Sequence, residues 1–172
     1  MENMLKSRSL CEPSLASRAG FHKNYLDLKL QHCPVFGGTI HLSQLQFCKL
    51  GNIQYPFSLI LLDKKHFTSL TIINKHACIY FDSLGSLNLH KNKKLIKFLH
   101  LNKLHQVFYN KKVIQQSSSD RCGLFAMAFV EKQIINLRLF QTFLNLFSNK
   151  NKSQNDHIVK LLLHQHDIIT YK

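Results

Sequence analysis

Three apolar runs stand close together in the middle of the chain: Phe57-Ser58-Leu59-Ile60-Leu61-Leu62, His66-Phe67-Thr68-Ser69-Leu70-Thr71-Ile72-Ile73 and Ala77-Cys78-Ile79-Tyr80-Phe81-Asp82. Their β-branched, aromatic and other apolar residues predict strands, and the short polar breaks Asp63-Lys64-Lys65 and Asn74-Lys75-His76 suit hairpin turns. An antiparallel meander follows. It sets His66 at the start of the middle strand and Asp82 at the end of the last, so both arrive at one edge of the sheet.

Elsewhere the period changes to that of helices. After Gly85, Leu95, Ile96, Leu99 and Leu104 fall on one side of a basic amphipathic helix, with Lys93, Lys94 and Lys97 on the other. Val107-Phe108-Tyr109 and Val113-Ile114 read as further strand pieces. The polar run Gln115 to Asp120 stops at Cys122, and an apolar segment follows that predicts a helix buried on most of its surface, continuing to about Phe147 with Asn136 as its breaking point. Ser148 to Gln154 reads as a loop, and a last helix runs from Asn155 to about His166, capped by Asn155 or Asp156, with Ile158, Val159, Leu162 and Leu163 as its packing face. Toward the start, residues 1–20 form a weakly ordered lead-in, Tyr25 to Leu30 a short amphipathic piece and Pro34 to Gly38 a turn; His41 to Leu45 resumes order before Gly51-Asn52 breaks it. The class predicted is α+β, with a central antiparallel sheet, in a single domain over 1–172.

Composition sharpens this outline. A chain of 172 residues that is 45% hydrophobic can bury one proper core. No run approaches a membrane span and the opening Met1 to Ser7 has no apolar signal region, so a cytosolic or nuclear protein is expected rather than a secreted or membrane one. The five cysteines Cys11, Cys33, Cys48, Cys78 and Cys122 are widely spaced and form no Cys-x-x-Cys pair. They read as reduced thiols, and no metal site or small-molecule cofactor is expected. The charge is one-sided: 23 Lys and Arg against 9 Asp and Glu give +14. Between Ser83 and Ser119 there is no acidic residue, while Lys91, Lys93, Lys94, Lys97, Lys103, Lys111 and Lys112 supply positive charge. Such a stretch suits a polyanion, DNA before membrane, with Lys91, Lys93, Lys94 and Lys97 as the candidate contacts.

The chemistry concentrates on three residues. Cys122 opens a helix, where unpaired N–H groups and the helix dipole favour thiolate over thiol. The same N–H groups, with a Gln amide a few residues upstream, could hold an oxyanion on a carbonyl attacked by sulfur. His66 and Asp82, converging at one sheet edge, supply an imidazole base and a carboxylate to orient it.

The order His66-Phe67, Tyr80-Phe81-Asp82-Ser83-x-Gly85, Gln115-x6-Cys122-Gly123 resembles that of the adenain family of adenovirus-type cysteine endopeptidases and, more distantly, that of the SUMO-deconjugating proteases sharing its fold. The similarity runs from about Pro34 to the C-terminus. It implies a papain-like core in permuted order, with His66 as base, Asp82 as orienter, Cys122 as nucleophile and a Gln side chain in the oxyanion hole. Gln115 matches the adenain spacing and Gln116 the deconjugase spacing; Gln115 is preferred because Ser119 then also falls where the adenain family has Ser. Phe67 stands where these families usually have Trp, and Asp82 where the adenain family has Glu. The function implied is a viral or virus-like-transposon endopeptidase that cleaves capsid or core precursors during particle maturation. The alternatives are a ubiquitin-like-modifier deconjugase and a basic DNA-packaging protein. By resemblance the partners are viral precursor proteins, DNA and an activating viral peptide, the chain a monomer, and the setting the virion and host nucleus. The absence of any cysteine between Cys78 and Cys122 counts against a disulfide-linked activator.

Overall fold

The structure, a computed structural model, describes residues 20–164. The meander is present: β2 (Phe57–Asp63), β3 (His66–Asn74) and β4 (Ala77–Phe81) pair antiparallel in sequence order. Two outer strands extend it. β1 (Phe36–His41) joins β2 and β5 (Gln106–Tyr109) joins β4, both in parallel, giving a five-stranded sheet in the order β1-β2-β3-β4-β5. The sheet is therefore mixed rather than purely antiparallel. The Pro34 to Gly38 turn is really the approach to β1, whose Gly37-Gly38 pair breaks the apolar pattern that marks a strand and coincides with a slip in its pairing register. Val107 to Tyr109 lies in β5, whereas Val113-Ile114 is irregular chain.

Parallel neighbours need a crossover, and in both cases the crossover covers one sheet face. Between β1 and β2 lies α2 (Leu42–Leu45); between β4 and β5 lie a 3-10 turn (Leu89–Lys91) and α3 (Lys93–Leu101). Leu95, Phe98 and Leu99 of α3 pack with Leu61, Leu70, Ile72 and Tyr80 from the sheet. Ile96 is only half-buried; Phe98 takes the inward position instead. The other face receives α1 (Gly20–Leu30), α4 (Cys122–Glu131), α5 (Leu137–Asn145) and α6 (Lys152–His164). With both faces covered, all five residues of β4 are buried, which is why these strands read as continuous apolar runs without alternation.

The apolar stretch from Cys122 to Phe147 is divided at Asn136, as its pattern predicts, into α4 and α5. Gln133 takes a left-handed φ of 51° and Asn136 caps α5 by accepting from Leu139 N at 2.9 Å. The last helix begins at Lys152, with Asn151 Oδ1 accepting from Gln154 N at 3.1 Å. Asn155, expected as a cap, is instead wholly buried: its Oδ1 accepts from Ser148 N and its Nδ2 donates to the carbonyls of Ser148 and Ile114. Residues 1–19 and His166 lie outside the described residues. Cys33, Cys78 and Cys122 are free thiols; Cys48 is disulfide-bonded, which corrects the expectation of a wholly reduced set.

Candidate active site

The pairing that sets Ser69 opposite Phe81 carries His66 and Asp82 to the same end of the sheet. α4 lies across β3 there, fixed by Ser69 Oγ donating to the carbonyl of Ala126 at 3.1 Å. Its first residue thus rests on the first residues of β3: Phe67 N donates to Cys122 Sγ at 3.5 Å, and the sulfur stands 3.8 Å from the carbonyl oxygen of Lys65. His66 Nε2 meets Asp82 Oδ1 at 2.7 Å, and the ring and the Cys122 sulfur are near enough for each to shift the other's ionisation. With Nε2 engaged by the carboxylate, Nδ1 is the ring nitrogen left for sulfur. Cys122 and Asp82 are almost wholly buried, while His66 keeps 30% of its side chain exposed.

The charges of the three groups are coupled. Burial alone disfavours the cation on His66, but the hydrogen bond it donates to Asp82, the Cys122 sulfur and both negative charges outweigh it, raising the imidazole to about 9. Burial likewise opposes ionisation of Cys122; the His66 hydrogen bond, the Phe67 N–H, the imidazolium charge and the Gly123 N–H together hold the thiol below its ordinary value. Asp82 is also held low, against burial, by His66, by Ser86 and by the Leu84 N–H. The arrangement favours a thiolate–imidazolium pair. The other two free thiols show the opposite behaviour, burial pushing Cys78 up to about 12 and raising Cys33.

The start of α4 carries no side-chain cap. Arg121 occupies the N-cap without a side-chain cap bond, so the first N–H groups of the helix have no capping side chain over them. Of the two candidate glutamines, Gln115 is 2% exposed and Gln116 lies at the surface. Gln115 is locked at both ends: Ser83 Oγ donates to its Oε1 at 2.5 Å and its Nε2 donates to the carbonyl of Ser119 at 2.6 Å, leaving one amide hydrogen uncommitted by these bonds. A Cβ on Gly123 would stand 3.5 Å from the Phe67 ring, an ordinary contact, so packing against that ring does not by itself require glycine after Cys122.

Sequence reasoning missed two supporting side chains. Asn110, 3% exposed, holds the backbone of Asp82 from both sides, its Oδ1 accepting from Asp82 N at 3.0 Å and its Nδ2 donating to Asp82 O at 2.6 Å. Ser86 Oγ donates to Asp82 Oδ2 at 2.6 Å. Ser86 directly follows the quoted Asp82-Ser83-x-Gly85 motif; nothing in the sequence around Asn110 signals its part.

The four lysines singled out for DNA lie on α3 and the 3-10 turn before it. Lys91, Lys93 and Lys94 line a cleft that also reaches His66 and Asp82, whereas Lys97 is not among its walls and places its Nζ 4.4 Å from the centre of the Phe47 ring. Among the described residues no group of His, Cys, Asp and Glu could hold a metal ion, and no helix is long and apolar enough to cross a membrane.

No curated protein matches the chain. A family model does, the Ulp1 protease family C-terminal catalytic domain, over residues 52–160, a span that contains His66, Asp82, Gln115 and Cys122 and covers well over half of the chain. Together with a mixed α+β architecture compatible with that group, the match means that the chain belongs to the Ulp1 protease family and is a cysteine peptidase.

Proposed function

We propose that peptide-bond hydrolysis in this chain runs through Cys122, His66 and Asp82, with Gln115 in the oxyanion hole. The observation that carries it is the His66 ring, tied to Asp82 at 2.7 Å through Nε2, with the Cys122 sulfur at the head of α4 seated against the backbone of its neighbours Lys65 and Phe67. The thiolate attacks the carbonyl carbon, and the negative charge moving onto oxygen is met by the Gln115 amide and the N–H of Cys122. The imidazolium gives its proton to the leaving amine, leaving a thioester on Cys122. Water then loses a proton to His66 as it attacks the thioester, and collapse of the second oxyanion releases the acid and restores the thiolate–imidazolium pair. Asp82 holds the ring and stabilises its charged form throughout.

Alkylation with a thiol-directed probe at neutral pH, mapped by mass spectrometry, tests this. Cys122 should react first and Cys33 and Cys78 should lag, because only the Cys122 thiol is held below its ordinary value. An inert Cys122 beside a reactive Cys33 or Cys78 would overturn the assignment.

For the substrate we retain the endopeptidase reading: cleavage of capsid or core precursors encoded by a virus or virus-like transposon. The +14 charge and the acid-free stretch from Ser83 to Ser119 support it, since precursors packed around nucleic acid would be met by a strongly basic enzyme. The second reading, removal of a ubiquitin-like modifier, is favoured by the family match itself. Cleavage of a panel of precursor-derived peptides against SUMO and ubiquitin fusions separates them, and turnover of the fusions alone would retire the first.

A further inference from the structure

Beside the His66–Asp82 pair lies a cleft of about 790 Å³, on the sheet face opposite α4. Five lysines stand along it: Lys64, Lys65, Lys91, Lys93 and Lys94. Asp63 is the carboxylate among its surface residues; it is more than half exposed and lies 4.0 Å from Lys94, so it offsets little of this charge. The floor is apolar, formed by the buried Leu42, Leu61 and Tyr80, with the half-buried Leu84 and Leu87 beside them.

We infer that this cleft binds an extended acidic peptide segment with apolar side chains, a stretch of the substrate polypeptide lying alongside the residues that are cut. The inference deepens the proposed function and rests on His66 and Cys122 forming the active centre. Charge complementarity selects the acidic groups, and the leucine floor selects their apolar neighbours, since a strand-like segment directs alternate side chains to opposite sides. A duplex would meet the lysines on the rim but could not reach the floor, because a nucleic-acid backbone offers phosphates and no apolar side chains to cover leucines. The volume suits a few side chains, within the roughly 300–1,000 Å³ typical of ligand sites. Position links the cleft to chemistry: Lys65 and His66 line it, and the carbonyl oxygen of Lys65 stands 3.8 Å from the Cys122 sulfur.

The test is fluorescence-anisotropy binding by the full chain carrying Cys122→Ala, which prevents turnover, to a labelled short peptide alternating Glu and Leu. The expected affinity is about ten-fold above that for the Gln-Leu counterpart and falls with salt, as a few exposed ion pairs acting together would give. Changing Lys91, Lys93 and Lys94 together to Glu should abolish that advantage, and the same three changed to Gln should remove most of it with less disturbance of local charge. Lys75→Glu, in the turn at the far end of β3, should leave the affinity as it is. Equal binding of the two peptides, or an affinity indifferent to both triple changes, overturns the inference. So does short duplex DNA that binds more tightly than the peptide and is released by the same changes, which would assign the cleft to nucleic acid. Cleavage of a neutral reporter peptide by the unaltered chain is read separately: its failure beside intact acidic-peptide binding sinks the active centre and leaves the cleft, while the opposite pair of results sinks the cleft alone.

Discussion

Both carboxylate oxygens of Asp82 are engaged, Oδ1 by His66 Nε2 and the Leu84 N–H, Oδ2 by the Ser86 hydroxyl and N–H. An amide in its place can accept from some of these donors but stabilises an imidazolium far less. Asp82→Asn should therefore lower kcat/KM by roughly 10²-fold, at the mild end of what a general acid–base contact supplies. The pH profile gives a sharper check. His66 is raised to about 9, so its proton is present below that value and activity is lost as pH rises through about 9; the acid limb falls where the lowered Cys122 thiol regains its proton. The two limbs belong to the coupled pair rather than to either residue alone. Because the Asp82 hydrogen bond and charge are what chiefly lift His66, the alkaline limb of Asp82→Asn should move to lower pH, and a limb that stays put would mean Asp82 does not set the charge of the ring. Asn110→Ala is the companion test. It strips partners from a buried N–H and a buried C=O of Asp82 and should cost about 1–3 kcal/mol of stability by denaturant titration, with kcat falling as well. The convergence of His66, Asp82 and Cys122 was legible because strand pairing and the start of a buried helix follow from local pattern. Asn110 was not, because it acts on backbone atoms 28 residues away, and any polar residue at the end of a strand would look the same.

The segment Asp82-Ser83-Leu84-Gly85-Ser86, which composition alone marks as a turn, ties the halves of the site together. Its first residue orients His66, and Ser83 accepts the N–H groups of Ile114 and Gln115 on its carbonyl while its hydroxyl holds the Gln115 amide. Gly85 makes this close approach feasible: its φ is +57°, and a Cβ there would sit 2.6 Å from the carbonyl oxygen of Lys111. Gly85→Ala must push the two segments apart or strain the turn, so about 1–3 kcal/mol of stability should be lost, with activity reduced because Asp82 and Gln115 shift together. Gly51→Ala is the control, since a Cβ at that position meets nothing within 4 Å and the change should stay within about 0.5 kcal/mol. A Gly85→Ala protein as stable and active as the parent would show that the contact yields freely. At this scale the sequence pattern found the meander and the buried helix, where hydrophobic runs are long. It missed β1, where Gly37-Gly38 interrupts the run; it placed the break in the long helix at Asn136, which caps α5, but not the earlier end of α4 at Glu131, where Gln133 rather than Gly takes the left-handed conformation.

Across the whole molecule the sheet separates two apolar cores, one under α4, α5 and α6 and one under α2 and α3, and the proposed chemistry sits at the sheet end between them. Burial on both faces was legible in the uninterrupted apolar runs, but which helix covers which face depends on parallel crossovers that local pattern does not encode. The +14 charge is likewise a property of the whole chain. At 0.01 M salt the screening length is about 30 Å, larger than the roughly 15 Å radius of gyration of a domain this long, so every lysine repels every other; at 0.1 M it is about 10 Å and most of that repulsion is gone. Two ion pairs that salt would weaken are Lys94–Asp63, half-exposed at 4.0 Å, and Arg121–Asp156, 3.4 Å with a third of the arginine side chain in solvent. Pairs of this kind contribute roughly 0–1 kcal/mol each, less than the relief of so large a net charge. Thermal unfolding of the protein should therefore move to higher temperature as sodium chloride is raised from 0.01 M to 0.1 M, while binding of the acidic peptide weakens over the same range. The opposite signs follow from one charge distribution, since like charges repel within the chain and attract a ligand of the other sign. A midpoint that falls with salt would show that attraction between charges, not repulsion, governs the folded state.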